Sequence, residues 1–184
     1  MESRTIHAQL LAKSLSKTLN SPTILRNIVV KLLQESQRAQ ATQIIVSIKE
    51  FNGLTWFTLL DDGIGIFSNR RINIFDNSDF IKSLYCLSKR TVAIESERML
   101  IHLTPDNFDG IKEVEVHQSI IDQGTQISFP ITATELAALP KSLEFQLKYS
   151  PVPIIFNGKK FGGKEYKMAE SARQVLFHPA EHLT

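Results

Sequence analysis

Cysteine is nearly absent from this chain of 184 residues, and its acidic and basic side chains almost balance. The single cysteine, Cys86, cannot form an internal disulfide or a cysteine metal cluster, so we expect a protein of the reducing cytoplasm. A formal charge of +2 does not indicate nucleic acid as a partner. No apolar run approaches the roughly 20 residues of a membrane helix, so a membrane partner is not expected.

The chain also lacks tandem repeats and any linker rich in proline, glycine or serine. Its length, with 42% hydrophobic residues, suits a single domain with a full core. We expect one domain over residues 1–160, followed over residues 161–184 by a tail or by the start of another segment.

Hydrophobic spacing predicts an amphipathic helix from Ser21 to Ala39, with Ser21 as its N-cap. Two strands are predicted next and are joined by Asn52-Gly53, the dipeptide that best supports a tight hairpin. They cover Gln43 to Lys49 and Leu54 to Leu60. Further strands are predicted over Thr91 to Ser96, Met99 to Leu103, Glu113 to Gln118 and Gln126 to Phe129. Helices are predicted over residues 5–18 and over Thr134 to Tyr149, the latter kinked or divided at Pro140. Strands grouped in runs between helices indicate an α+β two-layer sandwich.

The most informative chemistry lies in Asp61-Asp62-Gly63-Ile64-Gly65-Ile66, directly after an apolar strand. A carboxylate at a strand end can accept a hydrogen bond from an exocyclic amine. The two glycines let the backbone turn tightly and approach a flat ligand. In isolation, however, such a string is more typical of an ordinary turn.

Three segments, in order, resemble motifs of the GHKL superfamily of ATP-binding domains, which includes DNA gyrase B, MutL mismatch-repair proteins, histidine kinases and a heat-shock chaperone class. The segment from Lys31 to Thr42 is similar to the MutL-type helix motif ELVENSLDAGAT, with matches at Leu32, Ser36, Ala39, Ala41 and Thr42. Asp61 to Ile66 resembles the DxGxGI motif, and Gly124-Thr125 resembles the later Gly-Thr motif. The segment YSPVPIIFNG, Tyr149 to Gly158, is similar to phage and plasmid relatives that include rapid-lysis A proteins.

The resemblance implies a Bergerat-type sandwich, with helices packed on one face of a mixed, mostly antiparallel sheet and ATP with Mg²⁺ bound between the two layers. Asp61 would accept a hydrogen bond from the adenine amino group, and Gly63 and Gly65 would shape the base pocket. Thr125 would support that contact, or would simply be a strand residue after a turn. Asp62, where the family often has asparagine, is expected to be a solvated turn residue.

Two departures from the family concern catalysis. The positions of the water-activating glutamate and the magnesium-binding asparagine hold Lys31 and Glu35. A protonated lysine has no lone pair with which to act as a base. Glu35 remains the candidate catalytic carboxylate and Mg²⁺ ligand, or a surface partner of Lys31 or Arg38. No glycine occurs between Ile66 and Gly110, where the family has a glycine-rich lid over the triphosphate.

Three functions therefore remain open, and so does the question of whether the chain is an enzyme. The first is a nucleotide-dependent conformational switch with weak or absent hydrolysis. The second is a degenerate interaction module that no longer binds nucleotide. The third is an active ATPase that uses a base outside the usual motif. A protein partner, an effector domain and a homodimer all fit the family pattern.

Overall fold

The computed structural model describes residues 22–66, 84, 86–87 and 89–163. The helix predicted over residues 5–18, the N-cap Ser21 and the tail beyond residue 163 lie outside the described residues. Within them, the helices are α1 (Pro22–Arg38), α2 (Pro105–Phe108) and α3 (Ala133–Tyr149). The strands are β1 (Ile44–Phe51), β2 (Leu54–Asp61), β3 (Val92–Ser96), β4 (Met99–Leu103), β5 (Val116–Gln118), β6 (Thr125–Ile131), β7 (Ile154–Phe156) and β8 (Lys159–Phe161).

These eight strands form one sheet in the order β5-β4-β3-β6-β2-β1-β7-β8. Six of the seven neighbouring pairs are antiparallel, and β1 with β7 is the parallel pair. The helices pack beside this sheet, so the predicted α+β class and the mostly antiparallel, mixed sheet are confirmed.

The first hairpin forms as predicted. Asn52 and Gly53 both have positive φ, 51° and 73°, as a type I′ turn requires. The strands on either side pair from Phe51 opposite Leu54 to Ile44 opposite Asp61. This register places Asp61 at the end of β2 that is farthest from the turn.

The core lies between α1, α3 and one face of the sheet. The apolar stripe of α1 is buried, as its helical spacing predicted: Leu25, Ile28, Val29, Leu32 and Leu33. In β2 and β6, alternate residues are buried, and the rings of Phe57 and Phe129 stack across these strands with centroids 5.0 Å apart. Asp61 and Thr125 follow the same alternation, so both side chains point toward the helices.

Helix α3 begins with a capping box. The Thr132 hydroxyl accepts from the Glu135 N–H at 3.3 Å, and the Glu135 carboxylate accepts from the Thr132 N–H at 2.8 Å. The same carboxylate receives two hydrogen bonds from the Arg90 guanidinium, which also donates to the Pro130 carbonyl at 2.9 Å. Arg90, which precedes β3, thus joins the start of α3 to Pro130 at the end of β6.

The structure differs from the predicted elements at two places. Pro140 does not divide α3, which is one helix of 17 residues. The short helix α2 and the strands β7 and β8 were not predicted, because elements of three or four residues are too short to show a periodicity. The division expected after residue 160 stays a prediction. None of the described helices is long and apolar enough to cross a membrane.

Candidate functional site

Four buried polar side chains lie at the end of the sheet where β2 ends and β6 begins. They are Ser36, Asp61, Ser96 and Thr125. Thr125 is the register partner of both Asp61 and Ser96, which places β2, β6 and β3 side by side at this point. Ser36 approaches from α1 and donates its hydroxyl to Asp61 Oδ2 at 2.7 Å. The helix and the sheet are thus joined by a hydrogen bond in the interior.

The Asp61 carboxylate is held by several donors. Besides Ser36, the Gly63 N–H donates to Oδ1 at 3.0 Å. A carboxylate offers about four acceptor positions, so these two hydrogen bonds leave about two for further donors. Burial raises the pKa of Asp61 above its usual value of 3.8, although hydrogen bonding, first of all from Ser36, opposes the rise.

The glycines of the site are required by close packing within the chain itself. A Cβ on Gly63 would lie 2.6 Å from the Ala39 carbonyl oxygen. A Cβ on Gly65 would lie 2.5 Å from Glu97 Cγ and 2.7 Å from Ser96 Oγ. The glycines were predicted to allow close approach of a ligand. The structure shows that they also allow the loop after β2 to pack against α1 and the end of β3.

Gly124 has the tightest environment of the glycines in the site. Its φ is +83°, and a Cβ there would lie 1.9 Å from the Asp61 carbonyl oxygen. The sequence singled out Gly124-Thr125 only as a motif. The structure shows that Gly124 lets the chain entering β6 pass against the backbone of Asp61.

Ser96 was not predicted as a site residue. Its hydroxyl donates to the Gly124 carbonyl at 2.6 Å, accepts from the Ile66 N–H at 3.1 Å and lies 3.3 Å from Thr125 Oγ1. It therefore ties the glycine loop to β3 and β6. The sequence did contain one indication of its role. Ser96 occupies an inward position of β3, and the other inward residues of that strand, Val92 and Ile94, are apolar. Ser36 carried the same signal, since it continues the apolar stripe of α1.

Asp62 is exposed, as expected of a solvated residue, and its carboxylate also makes structural hydrogen bonds. It accepts from the Thr42 N–H at 2.8 Å, from the Thr42 hydroxyl and from the Gln43 N–H at 3.0 Å. The hydrogen bond from Thr42 is the main cause that lowers the pKa of Asp62 below 3.8. Asp62 is therefore a structural residue that fastens the segment after α1 to the end of β2.

Glu35 lies on another side of α1 from Ser36, because successive helical residues are separated by about 100°. Its carboxylate pairs with Arg38 at 2.6 Å, with the two side chains 20% and 62% exposed. This matches the surface-partner alternative for Glu35. Lys31 is half-buried on the same helix. No group of three or more His, Cys, Asp or Glu residues within the described ranges is arranged to hold a metal ion.

A separate surface cleft of about 750 Å³ lies between α1 and α3. Its lining includes Arg26, Lys141, Phe145, Lys148 and Tyr149, and none of the predicted site residues. The size of a cavity therefore does not identify the site in this structure. The buried polar cluster around Asp61 is distinguished by its hydrogen bonding.

No protein-family model matches the chain. No curated protein matches it either. Among solved structures, 252 chains are similar, and one of them is described as the crystal structure of the N-terminal domain of a DNA repair protein. That structure aligns with a TM-score of 0.50 and 14% sequence identity over 86% of this chain. The present chain spans 57% of the length of that structure, and at this identity the likeness shows the fold alone.

Proposed function

We propose that this chain is an ATP-binding domain of the GHKL type, which acts as a nucleotide-dependent conformational switch with weak or absent hydrolysis. The observation that carries the proposal is the meeting of three separated motif segments at one carboxylate. Ser36 on α1 and Gly63 after β2 donate to Asp61, and Thr125 on β6 is the register partner of Asp61. An ordinary turn does not need a buried aspartate that links a helix to two strands.

The chemistry at Asp61 suits an adenine ring. Its carboxylate is buried, its orientation is fixed by two donors, and acceptor positions remain for an exocyclic amine. A hydrogen bond to a charged acceptor in a buried site contributes more than a neutral one at the surface. Asp61 is therefore suited to selecting a base that carries an amino group.

Glu35 fits a magnesium ion as a single protein ligand. Mg²⁺ commonly uses one or two carboxylates together with substrate phosphates and water. The pair that Glu35 forms with Arg38 is partly exposed, so it offers little resistance to exchange for a cation. The ion, when bound, would neutralise phosphate charge, and Glu35 would hold it beside α1.

The switch itself would use the loop of residues 62–66. Asp62 ties this loop to the segment after α1, and Ser96 ties it to β3. A nucleotide that contacts Asp61 would favour one arrangement of these linked segments over another. A protein partner or an effector domain that recognises that arrangement would then sense the nucleotide.

The degenerate interaction module is the second candidate, and a specific observation favours it. Gly63 and Gly65 pack against Ala39, Ser96 and Glu97, so the chain's own packing accounts for both glycines without a ligand. An active ATPase is the third candidate and requires a base other than Lys31.

The first prediction concerns Asp61→Asn, which we expect to weaken ATP binding by about 1–3 kcal/mol, or roughly 5- to 150-fold in Kd. The amide is a poorer acceptor, and its NH₂ group would face the donor of Ser36 or of Gly63. Isothermal titration of ATP in the presence of magnesium measures the change. Asp109→Asn, the same substitution at an exposed aspartate, is the matched control and should leave Kd unchanged. Tight ATP binding retained by Asp61→Asn would remove Asp61 from the site, and no ATP binding by the unmodified chain would favour the degenerate module.

A second prediction concerns turnover. Proton transfer by a positioned general base contributes about 10²- to 10⁴-fold in rate, and Lys31 cannot supply it when protonated. We expect the purified chain to hydrolyse ATP no faster than Asp61→Asn does, measured as phosphate release at saturating ATP. Lys31→Glu combined with Glu35→Asn should recover only a small rate. Robust hydrolysis that Asp61→Asn abolishes would instead support the active ATPase, with Glu35 as the first carboxylate to test.

A further inference from the structure

Three hairpin turns in the described chain place two consecutive residues in the left-handed region. Two of these turns use asparagine followed by glycine: Asn52-Gly53, with φ of 51° and 73°, and Asn157-Gly158, with φ of 46° and 83°. The turn between β3 and β4 uses Glu97 and Arg98 instead, with φ of 49° and 65°. Glutamate is poorly suited to this conformation, whereas asparagine and glycine adopt it readily.

Local packing accounts for Arg98 but not for Glu97. The Arg98 backbone bonds to Ile121 and Ser119, and its guanidinium pairs with Asp122 at 2.6 Å. Glu97 Oε2, in contrast, is buried and has no hydrogen-bond partner among the described residues. An unpaired carboxylate oxygen in a buried position is unfavourable. Glu97 thus combines a strained backbone with an unsatisfied side chain, a combination that is typical of functional residues.

Glu97 also borders the candidate nucleotide site. Its Cγ packs against Gly65, whose missing side chain leaves the room for it, and it directly follows Ser96. In the sheet, β3 is the second strand from β2, with β6 between them. At about 4.8 Å between neighbouring strands, the end of β3 lies about 10 Å from that of β2. This separation is of the order of the distance between the amino group of an adenine and the sugar attached to it.

We propose that the Glu97 carboxylate accepts a hydrogen bond from a ribose hydroxyl of the bound nucleotide and so determines specificity for ribonucleotides. This inference rests on the proposed function. A carboxylate at neutral pH only accepts hydrogen bonds, and it repels phosphate. The adenine amino group is assigned to Asp61, at the end of a strand that is two positions from β3 in the sheet. At that separation the donors within reach of Glu97 are the sugar hydroxyls, and one of them would satisfy Glu97 Oε2.

The test compares the binding of ATP, 2′-deoxy-ATP and 3′-deoxy-ATP by calorimetry. The unmodified chain should bind ATP on the order of 10-fold more tightly than at least one of the deoxy analogues. In Glu97→Asn, the side chain is too short to reach the sugar. Its affinity for ATP should fall to that of the analogue, while its affinity for the analogue stays unchanged. Glu113→Asn, at an exposed position, is the control and should keep the discrimination.

Asparagine suits the left-handed turn, so Glu97→Asn should have a Tm equal to or above that of the unmodified chain. Unchanged discrimination in this variant would overturn the inference and leave ATP binding itself intact. An equal loss of affinity for all three nucleotides in Glu97→Asn would also overturn it. The same holds if the discrimination between ATP and the deoxy analogues disappears when EDTA removes magnesium. Failure of the unmodified chain to bind any of the three is a different result, which refutes the proposed function together with the inference.

Discussion

Gly124→Ala is expected to lower the free energy of unfolding by roughly 3–5 kcal/mol and, on the function proposed above, to weaken ATP binding. The alanine Cβ would lie 1.9 Å from the Asp61 carbonyl oxygen, and φ at this position is +83°. The contact is with backbone, so no side-chain rotation can relieve it. Either β6 or the end of β2 must move, and both carry groups of the Asp61 cluster.

Gly53→Ala is the matched control for this prediction. Its φ of +73° imposes a similar left-handed strain, but no atom lies within 4 Å of the added Cβ. We expect it to destabilise the chain by only about 1–2 kcal/mol. Urea denaturation of both variants gives the difference. Equal destabilisation would contradict the close approach of Gly124 to Asp61.

Glu135→Gln is expected to lower the free energy of unfolding by about 3 kcal/mol at neutral pH. The Glu135 side chain is only 5% exposed and that of Arg90 15%, so the guanidinium would be left buried without its counter-charge. Glutamine can still serve the capping box with Thr132, which limits the loss to the ion pair. Asp122→Asn tests the exposed pair with Arg98, whose side chains are about 70% exposed, and should leave the stability almost unchanged.

The pH dependence of the Glu135 effect has a definite sign. Burial acts to raise the pKa of Glu135, but the hydrogen bonds from Arg90 and Thr132 outweigh it, and the pKa lies below the usual 4.5. The ionised form is therefore favoured by folding, and its contribution is present above pH 4.5 and is lost as pH falls through the lowered pKa. The stability difference between the unmodified chain and Glu135→Gln should shrink as the solution is acidified below pH 4.5. A difference that stays constant through that range would rule out the ion pair as its cause.

Local signals predicted the elements that surround the site. The stripe of α1 and the Asn52-Gly53 turn are each contained in a short stretch of sequence, and both formed as predicted. The parallel pairing of β1 with β7 was not predicted, because it joins residues more than a hundred positions apart and depends on tertiary packing. Pro140 does not divide α3, which runs through it as one helix packed against α1.

The candidate site was predictable in part, because short sequence motifs contain four of its residues. Asp61, Gly63, Gly65 and Thr125 belong to motif segments, and the structure places them together around the end of β2. Ser36 and Ser96 support them from α1 and β3, but a serine on an apolar face has no distinctive sequence pattern. The role of Asp62 depends on Thr42, which becomes its neighbour only after folding.

The pairing of β1 with β7 also has a consequence for synthesis on the ribosome. The Ile44 N–H donates to the Pro153 carbonyl, and the Ile48 N–H donates to Asn157 Oδ1. One edge of β1 therefore has no hydrogen-bond partners until residues about a hundred positions later have been synthesised. Until they emerge, that edge is open to pairing with other nascent chains. The sheet can close only when nearly all of the described chain has been made.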